Sequence, residues 1–199
     1  MKKLLLLGFF ISVLAFAGFW TLEKETYLYV ASLHLGMLFL ALFFIYEKNW
    51  QKTMKKLGIP GDTWQNIKYL IGGLFAIIAA VILLNVIFYF AGIEQEDNVA
   101  EALKQLPPYI ILFGIVFAPI SEELFFRGFL VDKIGIFFSS TVFALSHFAY
   151  GSIAEIIGAF TIGLILAYIY KKSQSILPVI GIHFLFNLLS VIAIMLGAG

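Results

Sequence analysis

The sequence of 199 residues contains no cysteine, only three histidines and few charged side chains. Without cysteine, the protein has no disulfide, no thiolate metal site and no cysteine nucleophile. Charged residues make up 13% of the chain and the formal net charge is +1, which argues against binding to nucleic acid. Hydrophobic residues make up 62% of the chain. This composition is typical of a polytopic membrane protein rather than of a soluble domain.

The hydrophobic residues lie in stretches of about 17 residues or more, the length that a helix needs to cross a bilayer. We therefore predict an all-α transmembrane helical bundle that forms a single membrane domain over residues 1–199, in a prokaryotic cell membrane. The seven predicted spans cover residues 4–20, 27–46, 69–93, 109–130, 134–150, 153–170 and 176–196. Residues 1–17 also fit a cleaved signal peptide, because Ala15 and Ala17 form a small-residue cleavage pattern. We favour a retained helix.

The lysines predict the orientation of the bundle, because cytoplasmic loops of membrane proteins are enriched in basic residues. If the N-terminus is cytoplasmic, ten lysines lie on the inner side and two, Lys24 and Lys104, on the outer side. The inner ten are Lys2, Lys3, Lys48, Lys52, Lys55, Lys56, Lys68, Lys133, Lys171 and Lys172. We expect a cytoplasmic N-terminus.

Three predicted spans carry polar residues that are costly in a bilayer. Span 109–130 contains Glu122, Glu123 and Arg127, and an ionised side chain at mid-bilayer costs about 2.5 to 3.5 kcal/mol. The next spans contain His147 and His183. Because such residues usually face a protein interior or a water-filled cavity and mark function, we expect them to converge on one polar site.

Helical geometry predicts how these residues are arranged. Glu123 and Arg127 are i,i+4 neighbours on one helix face, in the favourable order for an ion pair, whereas Glu122 points about 100° away. At about 1.5 Å per residue from the proposed cytoplasmic ends, Glu122 is about 12 Å deep, His183 about 10 Å and His147 about 20 Å. His147 therefore reaches the site only if its helix begins later than Ile134, as Gly135 permits. The site is expected in the cytoplasmic half of the membrane.

These residues form three motifs: Glu122-Glu123-Leu124-Phe125-Phe126-Arg127, Phe143 to His147, and His183 to Asn187. In order and spacing they resemble the EExxxR, FxxxH and HxxxN motifs of the CaaX protease and bacteriocin-processing family, also called the Abi family. Its members are intramembrane endopeptidases related to the type II CaaX prenyl proteases. The resemblance covers roughly residues 109–196, which we expect to be the catalytic core.

The resemblance implies a mechanism for this chain. Glu122 would be the general base that activates a water, with His147 sharing that water. His183 and Asn187 would stabilise the oxyanion, and Glu123 with Arg127 would be a supporting pair. No metal or other cofactor is implied. The implied partners are membrane lipids and a peptide or protein substrate that is prenylated or membrane-embedded.

Several alternatives stay open at this stage. Glu122, His147 and His183 are also a chemically reasonable ligand set for zinc with a bound water. The same buried groups would serve a proton relay, or a catalytically silent scaffold could use them to bind a membrane partner. Glu123 with Arg127 could be a purely structural pair, and Asn187 a helix-packing residue. We interpret His34 and Asn85 as packing or interhelical hydrogen-bonding residues.

Overall fold

The computed structural model describes residues 26–93, 98–148 and 152–197. These residues are mostly helical and contain no strand, so the predicted all-α class is confirmed. Within them, four helices are long and apolar enough to cross a membrane, or five if one bent pair forms a single span. The predicted span 4–20 and the alternative of a signal peptide lie outside the described residues.

Eight α-helices and one π-helical segment are described in these ranges. In chain order they are α1 (Thr26–Ile45), α2 (Trp50–Lys56), α3 (Thr63–Ala91), α4 (Asn98–Gln105), α5 (Pro108–Glu123), the π segment (Leu124–Leu130), α6 (Val131–Ser146), α7 (Ile153–Ser173) and α8 (Ile176–Met195). The short helix α2 turns away from α1 by 102°.

Polar side chains decide where several helices begin. Asn49, Asp62, Ser152 and Ser175 each accept a hydrogen bond from a backbone N–H in the first turn of α2, α3, α7 and α8. Such N-caps satisfy donors that the helix itself leaves unpaired. The cap at Asp62 starts α3 at Thr63, six residues before the predicted span 69–93. Hydrophobicity alone could not find this start, because the first two turns of α3 are largely polar.

Gly135 folds the chain back on itself within α6. Its φ of 81° and ψ of 173° interrupt the helix. The rings of Phe126 and Phe143 are 5.1 Å apart, whereas 17 residues of straight helix would separate them by about 25 Å. Residues 108–146 are therefore a helical hairpin with Gly135 at its bend. The position of the bend agrees with the predicted break between spans 109–130 and 134–150.

The π segment packs tightly against α1. A Cβ on Gly128 would lie 3.0 Å from Ile45 Cδ1 and 3.1 Å from Leu57 Cδ2, so glycine allows this close approach. Phe44 of α1 stacks on Phe129 of the π segment at 4.6 Å. These contacts place α1 alongside the helix that carries the glutamates.

One end of the bundle collects most of the predicted inner lysines, and we name it the lysine-rich end. There Lys171 at the end of α7 pairs with Asp132 at the start of α6, at 2.6 Å. The backbone N–H of Ile176 at the start of α8 donates to the carbonyl of Leu57 after α2, at 2.9 Å. The lysines of this end are Lys48, Lys52, Lys55, Lys56, Lys133, Lys171 and Lys172.

Glu47 ties the end of α1 to the same group of lysines. Its carboxylate accepts a hydrogen bond from Lys56 Nζ at 2.6 Å, which lowers the pKa of Glu47. The charges of Lys52 and Lys133 act in the same direction. Because α1 and α7 end here while α3 and α8 begin here, the described helices alternate in direction as the sequence predicted.

Candidate active site

Glu123 and Arg127 form a fully buried ion pair. Arg127 Nη1 donates to Glu123 Oε1 at 2.8 Å, and the two side chains are 1% and 0% exposed. The i,i+4 facing expected from their spacing is therefore present. Arg127 also donates to the carbonyl oxygen of Gly163 on α7 at 3.3 Å, and its guanidinium lies 4.4 Å from the centre of the Phe143 ring. The arginine is thus held by three helical segments.

His183 joins this pair from α8. Its Nδ1 lies 2.8 Å from Glu123 Oε1. An ionised carboxylate only accepts hydrogen bonds, so Nδ1 carries the proton and donates it to Glu123. The other ring nitrogen, Nε2, faces Glu122 Oε2 at 3.9 Å. His183 therefore connects the two adjacent glutamates.

Glu122 is buried but less completely paired than Glu123. Its Oε1 lies 3.7 Å from His34 Nδ1 and its Oε2 3.9 Å from His183 Nε2. Both distances exceed that of a hydrogen bond. Glu122 Oε2, like Glu123 Oε2, is buried without a hydrogen-bonding partner among the described residues. Because buried carboxylate oxygens are normally satisfied, this oxygen is suited to bind a water or a reacting group.

His147 lies directly after α6 and reaches back along it. Its Nδ1 is 2.8 Å from the carbonyl oxygen of Phe143, which can only accept, so Nδ1 carries the proton in the neutral ring and Nε2 is the basic nitrogen. The His147 ring packs on Phe143 at 4.7 Å, and Phe143 in turn contacts the His183 ring at 6.0 Å. The phenylalanine of the second motif therefore links its histidine to the other two motifs.

Asn187 lies one turn after His183 on the same helix. Its side-chain Nδ2 donates to the carbonyl oxygen of Gly114 at 3.1 Å, which joins α8 to α5. One of its two amide protons is thus used between helices, as the packing interpretation expects. The structure places Asn187 beside the motif residues without a direct contact to Glu122 among the hydrogen bonds described.

Residues 104–189 match the Rce1-like family, described as Type II CAAX prenyl endopeptidase Rce1-like. The match covers rather less than half of the chain, but it contains all three motifs. This motif-bearing segment is similar to the CaaX protease family. The predicted family is confirmed for this segment, and the match supports a CAAX-type intramembrane protease. Comparison with curated proteins and with solved structures gives no match.

His34 contacts the site but lies outside the matched segment 104–189. It lies on α1, it is buried, and its Nδ1 is 2.9 Å from Ser121 Oγ and 3.7 Å from Glu122 Oε1. The interhelical hydrogen bond agrees with the interpretation of the sequence, but the contact with Glu122 was not anticipated. The only signal in the sequence was an isolated ionisable residue within an apolar span.

The arrangement of donors also bears on the zinc alternative. Among residues 26–93, 98–148 and 152–197, no three histidine, aspartate or glutamate side chains are grouped as they would be to hold a metal ion. The Nδ1 atoms of His147 and His183 are engaged by a carbonyl and a carboxylate. These Nδ1 atoms are therefore not available to a metal ion.

Proposed function

We propose that the protein is an intramembrane endopeptidase of the CaaX protease type in which Glu122 activates a water that hydrolyses a peptide bond. The observation that carries the proposal is Glu122 Oε2, a buried carboxylate oxygen without a described partner, 3.9 Å from His183 Nε2. The neighbouring Glu123 also has an unpartnered Oε2, but its Oε1 already accepts from both Arg127 and His183. Glu122 is therefore the carboxylate available as a base.

The proposed reaction divides the proton transfers between Glu122 and His147. Glu122 takes a proton from the water, and the resulting hydroxide attacks the carbonyl carbon of the scissile peptide bond. When the carbon–nitrogen bond breaks, the proton passes to the leaving amine nitrogen. His147 assists this proton transfer through Nε2. Nε2 is the basic nitrogen because Nδ1 donates its proton to the Phe143 carbonyl oxygen.

We assign the stabilisation of the oxyanion to His183 and Asn187. The Asn187 amide has two N–H groups, so one remains a donor while the other binds Gly114. His183 donates through Nε2 when both of its ring nitrogens carry a proton, with Nδ1 donating to the Glu123 carboxylate. Glu123 and Arg127 thus act on the reaction through His183, which gives the buried pair a positioning role.

The proposed substrate is a lipidated or membrane-embedded peptide, because Glu122 lies within a bundle of apolar helices. We place the lysine-rich end in the cytoplasm on the basis of the enrichment of basic residues there. Glu122 precedes the bend at Gly135 by 13 residues, or about 20 Å of helix, and His183 follows the start of α8 by about 10 Å. These two depths lie on either side of the middle of a bilayer about 30 Å thick, which supports a site near mid-membrane.

The test is cleavage of an internally quenched, farnesylated CaaX peptide by the purified protein in lipid nanodiscs. We expect Glu122→Gln to abolish cleavage, because the amide cannot accept the proton, while Glu101→Gln on the exposed side of α4 keeps wild-type activity. Wild-type turnover by correctly inserted Glu122→Gln protein would disprove the role of Glu122 as base. Activity lost on removal of one tightly bound zinc per chain, and regained on its return, would favour the zinc alternative.

A further inference from the structure

His34 is a buried histidine in an otherwise apolar stretch of α1, and it belongs to none of the three motifs. It lies outside the segment 104–189 that matches the family. Its imidazole contacts two residues of α5, Phe113 by an edge-on ring contact at 5.5 Å and Ser121, which directly precedes Glu122, by a hydrogen bond. An ionisable residue within an apolar membrane helix usually has a functional reason.

Ser121 determines which way the His34 ring donates. The Ser121 hydroxyl lies 2.9 Å from the carbonyl oxygen of Ala118, which can only accept. With its single proton donated there, Ser121 Oγ accepts from His34 Nδ1 at 2.9 Å. The N–H edge of His34 is therefore turned toward Ser121 and toward Glu122 Oε1, 3.7 Å away.

The two oxygens of Glu122 thus face two different imidazoles. His183 approaches Oε2, but its Nδ1 is already committed to Glu123. His34 approaches Oε1, and none of its described hydrogen bonds goes to another carboxylate. The titratable groups that face His34 from the surrounding helices are Glu122, His147 and His183. A buried carboxylate is costly unless nearby donors or positive charge stabilise it.

We propose that His34, held by Ser121, is a positioning residue of the active site that orients Glu122 and stabilises its ionised form. The inference rests on the proposed function for its catalytic consequence. It extends the site to α1, a helix that the family match does not include. His34 touches neither water nor substrate in this proposal; it acts through the carboxylate of Glu122.

The test measures the ionisation of Glu122 directly, by the infrared absorption of protonated carboxyl groups during a pH titration in nanodiscs. The band of Glu122 is identified by its loss in Glu122→Gln. In His34→Leu we expect the midpoint of Glu122 protonation to move to higher pH by about one unit, a tenfold change in the ratio of ionised to protonated Glu122. On the farnesylated CaaX peptide, we expect kcat to fall about tenfold with KM unchanged, and the acid limb of the pH–rate profile to move to higher pH.

Two further variants distinguish the loss of the His34 interaction from a loss of folding. His34→Asn keeps an N–H near Ser121 without the ability to carry charge, so we expect a smaller shift in the same direction and a partial recovery of kcat. Ser32→Leu replaces an exposed polar residue on the same helix and should leave both readouts unchanged. His34→Asn also provides the test if His34→Leu does not fold.

An unchanged protonation midpoint in folded His34→Leu or His34→Asn would overturn the inference, even if the yield of folded protein fell. The infrared readout needs no substrate, so it also separates the two proposals. A shifted midpoint together with wild-type cleavage by Glu122→Gln would sustain the coupling of His34 to Glu122 and reject the proposed function. If cleavage required Glu122 but His34 substitution left the protonation midpoint unchanged, the proposed function would be supported and the coupling of His34 to Glu122 rejected.

Discussion

At the level of single residues, two adjacent glutamates occupy different environments. Glu123 binds Arg127 and His183, whereas Glu122 lies beyond hydrogen-bonding distance of the two imidazoles beside it. The difference arises because consecutive helical residues point about 100° apart, so the two carboxylates meet different neighbouring helices. Glu123 therefore becomes part of the packed structure, and Glu122 stays available for chemistry.

The buried pair gives a prediction about stability. Arg127→Met should lower the free energy of unfolding by about 3 to 5 kcal/mol, because it leaves Glu123 buried without its cation. Adding Glu123→Gln should recover part of this loss, since the amide oxygen still accepts from His183. The matched control is Lys171→Met, which breaks an ion pair of similar length whose side chains are about 40% exposed and should cost at most about 1 kcal/mol.

Thermal unfolding of the detergent-solubilised variants measures these differences. Equal losses in Arg127→Met and Lys171→Met would contradict the burial argument, and a double variant less stable than Arg127→Met would contradict the unpaired-charge argument.

The sequence predicted the Glu123–Arg127 pair but not the place of His34, for a physical reason. The Glu123–Arg127 pair depends on helix periodicity alone, because the two residues are four positions apart. The partner of His34 is Ser121, 87 residues away, and only the packing of α1 against α5 brings them together. The hydrogen bond of His183 to Glu123 joins residues 60 positions apart, so the sequence predicted convergence without predicting which nitrogen faces which carboxylate.

At the level of helices, apolar stretches predicted the long helices well and the short ones not at all. Helices α2 and α4 lie between the predicted spans, within residues 47–68 and 94–108. The π segment was also not predicted, since Leu124 to Leu130 has ordinary helix-forming residues and its winding depends on contacts with other helices. Such segments are rare and occur often at functional sites, which fits the position of this one directly after the glutamates.

The bend at Gly135 gives a prediction at this level. Its φ and ψ lie in a region that is essentially restricted to glycine, and a Cβ there would meet no atom within 4 Å. Gly135→Ala should therefore cost about 1 to 3 kcal/mol from backbone strain alone. Gly158→Ala is the control, because Gly158 is helical and equally uncrowded, and there alanine should be neutral or slightly stabilising.

Thermal unfolding distinguishes the two glycine variants, and cleavage activity reports whether the hairpin still presents His147 to the site. If Gly135→Ala were as stable as Gly158→Ala, the bend would not need glycine, and its role in folding the chain back would have to be rejected.

At the level of the whole molecule, several lysines that are distant in sequence lie at one end of the helical bundle. Residues distant in sequence, in the connector after α1, the bend of the hairpin and the turn before α8, meet at the lysine-rich end. The alternation of helix direction follows from these contacts. Which side of the membrane this end faces depends on insertion in the cell, which contacts within the protein do not determine.

The absence of cysteine makes that orientation directly measurable. Gln51→Cys lies in α2 at the lysine-rich end. Gln105→Cys lies at the end of α4, which follows α3 at the opposite end of the bundle. Both positions are exposed. Because basic residues are retained on the cytoplasmic side, we expect a membrane-impermeant maleimide to label Gln105→Cys in intact spheroplasts and Gln51→Cys only after permeabilisation. The unsubstituted chain has no thiol and should remain unlabelled in both conditions. The reverse pattern would put the lysine-rich end outside and contradict the predicted orientation.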